Sequence, residues 1–267
     1  VSSPTPRSLG DEGSQASRGE VPRGHVFFPG DVRLEGVLEW PGREGMTRPR
    51  GGVVIAHPHP LYGGTMAQPV VFRVARACQE QGFATLRFNF RGVGGSAGTY
   101  NGREEYRDVE AALRYLEAQL SRGQLTGVAS ADSLSARSPS TSEGTVDGPG
   151  VPRLPLAVAG YSFGSVMAAL AAGRGEVGVD ALVLIALPIF WDELPLDLFR
   201  ALREFRGSLL AVCGEGDDLA PPGAVAGRLE ELKLRFELRV IPGVGHLFEG
   251  RQQEVGEVVA HFLADLS

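Results

Sequence analysis

The chain is predicted to form an α/β fold: a mostly parallel sheet flanked by helices on both faces, with antiparallel strands at its N-terminal end and no cap domain. Three observations support this. Runs such as Gly52–Ala56 and Ala181–Ala186 are apolar without interruption, as strands buried on both faces must be. Segments with apolar residues at helical spacing alternate with these runs. The chain's 267 residues, 43% of them hydrophobic, can bury one full-sized core.

Residues 1–24 are Ser, Gly, Pro and charged, too poor in apolar side chains to offset their ordering entropy, and are expected to be a disordered polar tail. They lack the apolar core of a secretory signal. Between His25 and Trp40, Val26, Phe27 and Phe28 precede a Pro29-Gly30-Asp31 turn, and Val32, Leu34, Val37 and Leu38 follow it. This reads as a short antiparallel pair. Gly52–Ala56 is the next strand, Pro69 opens and Gly82 closes a helix over 70–81, and Phe83–Phe90 is a strand. Over 103–121, Val109, Ala112, Leu113, Leu116 and Leu120 form one apolar stripe, as on a helix packed against a sheet. Further strands are predicted at 154–160, 181–186, 208–213 and 236–241, and helices at 164–173, 197–205, 222–233 and 252–265. Residues 125–152 are rich in Ser, Gly, Thr, Ala and Asp without periodicity and read as a flexible insertion at the N-terminal edge of the sheet. Ligands of open α/β sheets bind at the opposite edge. A single domain over 25–267 results. The interval after the strand at 181–186 holds a loop only, so the site should be open, with Phe190, Trp191, Leu194 and Leu196 either walling a pocket or packing under that loop.

Composition excludes several functions. A net charge of −6 leaves no basic footprint for nucleic acid or an anionic membrane, and no run approaches the roughly 20 apolar residues that insert across a bilayer. Cys78 and Cys213 have no C-x-x-C spacing and suit a reduced, cytoplasmic setting. No cofactor or metal is called for. Gly92–Ala97 matches G-x-G-x-x-A, but no helix begins there; His57 and His59 lack a cysteine or carboxylate at ligand spacing. The expected partner is a small molecule, and the pattern is silent on oligomeric state.

The most informative segment is Gly160-Tyr161-Ser162-Phe163-Gly164, between the apolar run Leu154–Ala159 and a helical Ser165–Ala172. A serine on the turn from a buried strand into a helix exposes its hydroxyl, and the helix N-terminus favours negative charge at an attacked carbonyl. This is a nucleophile elbow, and it points to a serine hydrolase. The pattern alone is weak, because 37 glycines make about a third of a G-x-S-x-G match by chance. Gly94–Gly98 also matches, but Ser96 follows a glycine-rich loop and leads into Thr99-Tyr100-Asn101-Gly102, which cannot start a helix. Only Ser162 has the required context; Ser96 and Arg91 are expected to hydrogen-bond locally.

A nucleophilic serine needs a base and a group that orients the base. His246 lies in a glycine-rich turn directly after the strand at 236–241, at the same sheet edge as Ser162, and is the expected base. His261, on the buried-side boundary of the last helix, is expected to be structural, and His25 has no evident partner. The acid should come from the loop after 208–213, where Asp217 and Asp218 are both placed for it; Asp218 could instead be a solvated or helix-capping carboxylate. Asp192 and Glu193 are a remoter alternative. An oxyanion would be received by the N–H groups of Phe163, after the serine, and of a residue in the loop after 52–56. Pro58 and Pro60 have no N–H, leaving His59 as the best-placed donor, with its imidazole incidental to this role.

Three ordered motifs now add up. His57–Met66 (H-P-H-P-x-x-G-G-T-M), Phe88–Ser96 (F-N-F-R-G-V-G-x-S) and Gly160–Gly164 resemble the lidless bacterial predicted hydrolases of the α/β-hydrolase superfamily, over roughly residues 25–266. The resemblance implies the α/β-hydrolase fold, with Asp217, the aspartate of G-x-x-D, as acid and His246 as base. The polar tail and the Ser/Gly insertion depart from the family's compact pattern. Relatives on this scaffold include carboxylesterases, dienelactone hydrolases and peptidases; a carboxylesterase acting on a small-molecule ester is the leading expectation, with amide or thioester cleavage, or a non-catalytic binding module, as alternatives.

Overall fold

The structure, a computed structural model, describes residues 23–42, 48–129, 153–190 and 198–265. The predicted tail up to residue 22, residues 130–152 of the predicted insertion, and Trp191, Asp192, Glu193, Leu194 and Leu196 lie outside the described residues.

Eight strands form one sheet: β1 (Gly24–Pro29), β2 (Arg33–Glu39), β3 (Gly52–Ala56), β4 (Ala84–Phe88), β5 (Leu156–Tyr161), β6 (Ala181–Ile185), β7 (Ser208–Gly214) and β8 (Glu237–Ile241), in the spatial order β1-β2-β4-β3-β5-β6-β7-β8. β1–β2 and β2–β4 are antiparallel and all later pairs parallel. Every residue of β3, β5 and β6 is buried, because helices cover both faces. β1 and β2 alternate instead, turning Val26, Phe28, Leu34 and Leu38 inward, as strands with one wet face do.

The helices are α1 (Pro69–Glu80), α2 (Glu105–Ala129), α3 (Phe163–Arg174), α4 (Leu198–Glu204), α5 (Pro222–Glu231) and α6 (Gln252–Ala264). α1 packs on α6, while α2, α3 and α4 lie side by side. α3 is buried along nearly its whole length, and its run of alanines lets it sit close to β5 and β3. α2 corrects the sequence expectation: it continues through residues 125–129, the start of the predicted insertion. Gly123 and Gly127 disfavour helix, but once a helix is nucleated each further residue adds a hydrogen bond at no new nucleation cost. Burial pushes the thiols of Cys78 and Cys213 up to about 12, so neither is a reactive thiolate.

The glycine-rich loop after β4 is anchored to α2 by charge. Arg91 donates from Nη2 to Asp108 at 2.7 Å and from Nε to both carboxylate oxygens at 3.1 Å, while its backbone N–H donates to Oδ2 at 2.9 Å. Both residues are buried, and the fork-to-fork geometry compensates each charge. Asp108→Ala would leave the guanidinium buried without its main partner, at a cost of about 3 kcal/mol. Thermal unfolding followed by circular dichroism should show a melting temperature lower by ~6–12 °C for a chain of this size; an unchanged value would mean that the pair contributes nothing net.

Candidate active site

The turn from β5 into α3 places Ser162 where the sequence expects it. Its φ of 53° and ψ of −118° are costly for a residue with a side chain, by roughly 1–3 kcal/mol. Its neighbours make the turn sterically possible. A Cβ at position 160 would lie 2.2 Å from the Gly164 carbonyl oxygen, and one at position 164 would lie 2.4 Å from that of Ala56. Only glycine fits at either position. The Ser162 N–H donates to Ile185 O at 2.8 Å, and its carbonyl accepts from Ser165 N at 2.8 Å and Ser165 Oγ at 2.6 Å, so the strained residue is held from both sides.

His246 and Asp217 arrive from the loops after β8 and β7. Ser162 Oγ is 2.8 Å from His246 Nε2, and His246 Nδ1 is 2.8 and 3.0 Å from the two oxygens of Asp217. A carboxylate only accepts, so Nδ1 carries the proton and the neutral ring's Nε2 accepts from the serine hydroxyl. Asp217 Oδ1 also accepts from Leu219 N and Ala220 N, each at 2.9 Å, which fixes the carboxylate and buries it at 2% exposure. The Asp217/Asp218 alternatives separate here: Asp218 is exposed and the cap position of α5 is Pro221. The two loops also hold each other, through Gly216 N to Val244 O and Gly243 N to Glu215 Oε2, both 2.9 Å.

Sequence reading misses one support of this constellation. The buried phenol of Tyr161, inside the elbow, donates to the His246 carbonyl at 2.9 Å. Burial, reinforced by the charges of Asp217 and Glu249, pushes its pKa up, so it remains a protonated donor. The one sequence signal was a hydroxyl-bearing aromatic at an otherwise buried position; its partner, 85 residues away, is visible only in three dimensions.

The loop after β3 curls over the elbow. His59 caps a short 3-10 helix, Pro60–Tyr62, with Nδ1 accepting from Leu61 N at 3.2 Å. Its Nε2 lies 2.8 Å from Tyr100 Oη, so the imidazole ties this loop to the one after β4. His57 is buried, donating from Nδ1 to Pro58 O at 2.6 Å and accepting at Nε2 from Phe90 N at 3.1 Å. Phe163 opens α3, and its ring packs against that of His59 with centroids 5.1 Å apart.

This architecture has close counterparts among solved structures. An α/β serine hydrolase homologue from Coxiella burnetii superposes with a TM-score of 0.69 at 29% identity, over 90% of this chain and 96% of that one. An α/β serine hydrolase without a lid from Xanthomonas campestris superposes with 0.68 at 25% identity, over 91% and 94%. The chain has the α/β-hydrolase fold. In sequence it is also 25% identical to an uncharacterised protein of Rickettsia prowazekii, over 79% of this chain and 77% of that one. No family model matches.

In this hydrolase fold the loops at the carboxyl edge enclose an open pocket of about 370 Å3 around Ser162, lined by Tyr62, Gln68, Pro188, Leu219 and Leu247 among others. Among the described residues, no Lys, Arg, Asp or Glu side chain lines it. Phe190, a candidate wall from sequence, is instead 61% exposed and outside the lining, with its backbone N–H donating to Leu219 O at 3.3 Å. Two histidine expectations are corrected: His261 is exposed, and His25 sits in β1 with Nε2 2.7 Å from Glu35 Oε1. Ser96 lies away from the pocket; its Oγ donates to Asn89 O at 2.7 Å and accepts from Glu35 N at 2.9 Å. No described helix is long and apolar enough to cross a membrane.

Burial lowers the pKa of His57 from 6.5 to about 4, against the opposing pull of the Pro58 carbonyl. The folded state thus binds fewer protons than the unfolded chain between these values, and stability falls as pH drops through this window, by about 1.4 kcal/mol per unit. Urea unfolding at pH 7.5 and pH 5 should show about 2 kcal/mol lost at the lower pH; equal midpoints would show that His57 protonates freely in the folded protein.

Proposed function

We propose that the protein is a serine hydrolase that cleaves small, uncharged carboxylic esters through an acyl-enzyme on Ser162. The observation that carries this reading is the unbroken relay from Asp217 through His246 to a serine hydroxyl at a helix N-terminus, open to an apolar pocket. Ser162 Oγ attacks the acyl carbon as its proton passes to His246 Nε2, and Asp217 stabilises the imidazolium that forms. The N–H groups of His59 and Phe163 receive the oxyanion. The imidazolium then protonates the leaving alcohol, and water attacks the acyl-serine by the same route. The serine hydrolases among the structural neighbours support this chemistry at the level of a hydrolase.

Pocket chemistry favours an ester over a peptide. The lining offers few hydrogen-bonding side chains besides the reacting ones, so the amides of a peptide would be desolvated without partners, whereas a small ester brings little that needs pairing. The absence of a lining cation among the described residues argues equally against a carboxylate on the acyl group. Two free, buried thiols support a reducing, cytoplasmic setting.

A fluorophosphonate probe should give a single adduct on Ser162 by intact mass and peptide mapping, and Ser162→Ala should abolish it and lower kcat by about 10⁴-fold or more. Asp217→Asn should cost on the order of 10⁴-fold in kcat by leaving His246 in the wrong tautomer. In a substrate panel, a butyrate ester should exceed the matching hemisuccinate ester and anilide in kcat/KM. Faster anilide cleavage would reassign the enzyme to amides, and folded protein without an adduct would point to a binding module.

A further inference from the structure

Beyond the triad, three rings, from the loop after β3, the loop after β4 and the first turn of α3, meet at the mouth of the elbow. The His59 ring lies 5.1 Å from Phe163 and 5.1 Å from Tyr100, and Tyr100 lies 5.6 Å from Phe163, edge-on. These are the side chains of the two residues assigned above to hold the oxyanion, packed on each other and on Tyr100. Tyr100 belongs to the glycine-rich loop after β4, a segment that neither the triad nor the pocket uses.

The hydrogen bonds give this cluster a direction. Leu61 N–H can only donate, so His59 Nδ1 is the acceptor and the neutral ring's proton sits on Nε2, pointing at Tyr100 Oη 2.8 Å away. The His59 carbonyl accepts from Tyr62 N at 3.1 Å and Gly64 N at 3.0 Å. With its carbonyl and both ring nitrogens committed, His59 has little freedom to rotate. Tyr100 in turn stands on an anchored loop: Gly92 N donates to Ala97 O at 3.1 Å, Arg91 is clamped by Asp108, and Gly95 N donates to Glu35 Oε2 at 2.6 Å.

We infer that Tyr100 is a positioning residue of the oxyanion hole: its hydroxyl holds the His59 imidazole, and its ring, wedged against His59 and Phe163, sets the separation of the two N–H donors. The inference rests on the serine-hydrolase reading and assigns a role to the loop that follows β4. Oxyanion stabilisation is steep in geometry, since a misplacement of about 1 Å can cost 10²-fold in rate. The ground-state ester makes weaker use of the same donors, so loss of their alignment should appear in kcat and leave KM nearly unchanged.

The test compares wild type, Tyr100→Phe and Tyr100→Leu on a p-nitrophenyl butyrate assay, together with melting temperatures and inhibition by an alkyl boronic acid as tetrahedral analogue. Tyr100→Phe keeps the ring and should lower kcat about 10-fold with KM within twofold; Tyr100→Leu should lower it about 100-fold. Boronate affinity should weaken in step with kcat/KM in both variants. A tyrosine that merely fills space would instead lower the melting temperature while leaving kcat and boronate affinity at the wild-type level, and that result overturns the inference. Wild-type protein that neither turns over the ester nor takes a fluorophosphonate adduct overturns the hydrolase reading and this inference with it, whereas an active wild type with an equally active Tyr100→Leu overturns this inference alone.

Discussion

The turn at Ser162 depends on two absent side chains. With hydrogens at Cα of residues 160 and 164, α3 approaches β5 and the end of β3 until backbone atoms almost touch, and the serine between them is forced to positive φ. That backbone conformation lifts the hydroxyl out of the strand plane and sets it at the start of α3. A methyl group at either glycine would clash with backbone and force helix and strand apart. The apolar burial of α3 and of the central strands supplies the stability against which this local strain is held.

Around that turn, the loops at the carboxyl edge are tied to one another more than to solvent. Glu35 of β2 accepts from Asn89 Nδ2 and Gly95 N, both at 2.6 Å, and Asn89 Oδ1 accepts from Met66 N at 2.9 Å. Burial opposes the Glu35 charge, but the bonds from Gly95, His25 and Asn89 outweigh it and hold its pKa below the ordinary carboxylate value. His57 bridges the loops after β3 and β4 as a neutral ring, and Tyr161 fastens the His246 loop to the elbow. Each of these buried groups finds its partner on a different strand end, so the relative positions of the strands become the relative positions of the site residues.

The charges are distributed unevenly. Arg91, Asp108, Glu104 and Asp31 cluster beside α2, and a larger groove of about 660 Å3 along α2 and α3 is lined by Arg107, Arg114, Glu110 and Glu176 among others, away from Ser162. The pocket at Ser162 is smaller and mostly apolar. Size does not single out the pocket at Ser162; the apolar chemistry of its lining does.

Much of this was legible from sequence because it is local. The unbroken apolar runs of β3, β5 and β6 and the stripe on α2 follow from side-chain periodicity, and the elbow follows from five contiguous residues. His246 and Asp217 could be proposed from position, since residues directly after parallel strands gather at one edge whatever the details. The choice of Asp217 over Asp218 could not be made from position, because adjacent residues on a loop point in different directions and only the packed loop decides which carboxylate meets the imidazole. The extension of α2 through residues 125–129, the outward placement of Phe190 and the pairing of His25 with Glu35 were likewise hidden, as was the use of His59 and Tyr100 side chains. Each depends on a partner distant in the chain or on how far a helix propagates past weak residues. The sequence by itself determined which elements form and which residue types reach the sheet edge, since periodicity and turn chemistry act over a few residues; the tertiary structure alone decided which of those residues touch, since hydrogen bonds and ring contacts are settled by distances of a few tenths of an ångström between strand ends.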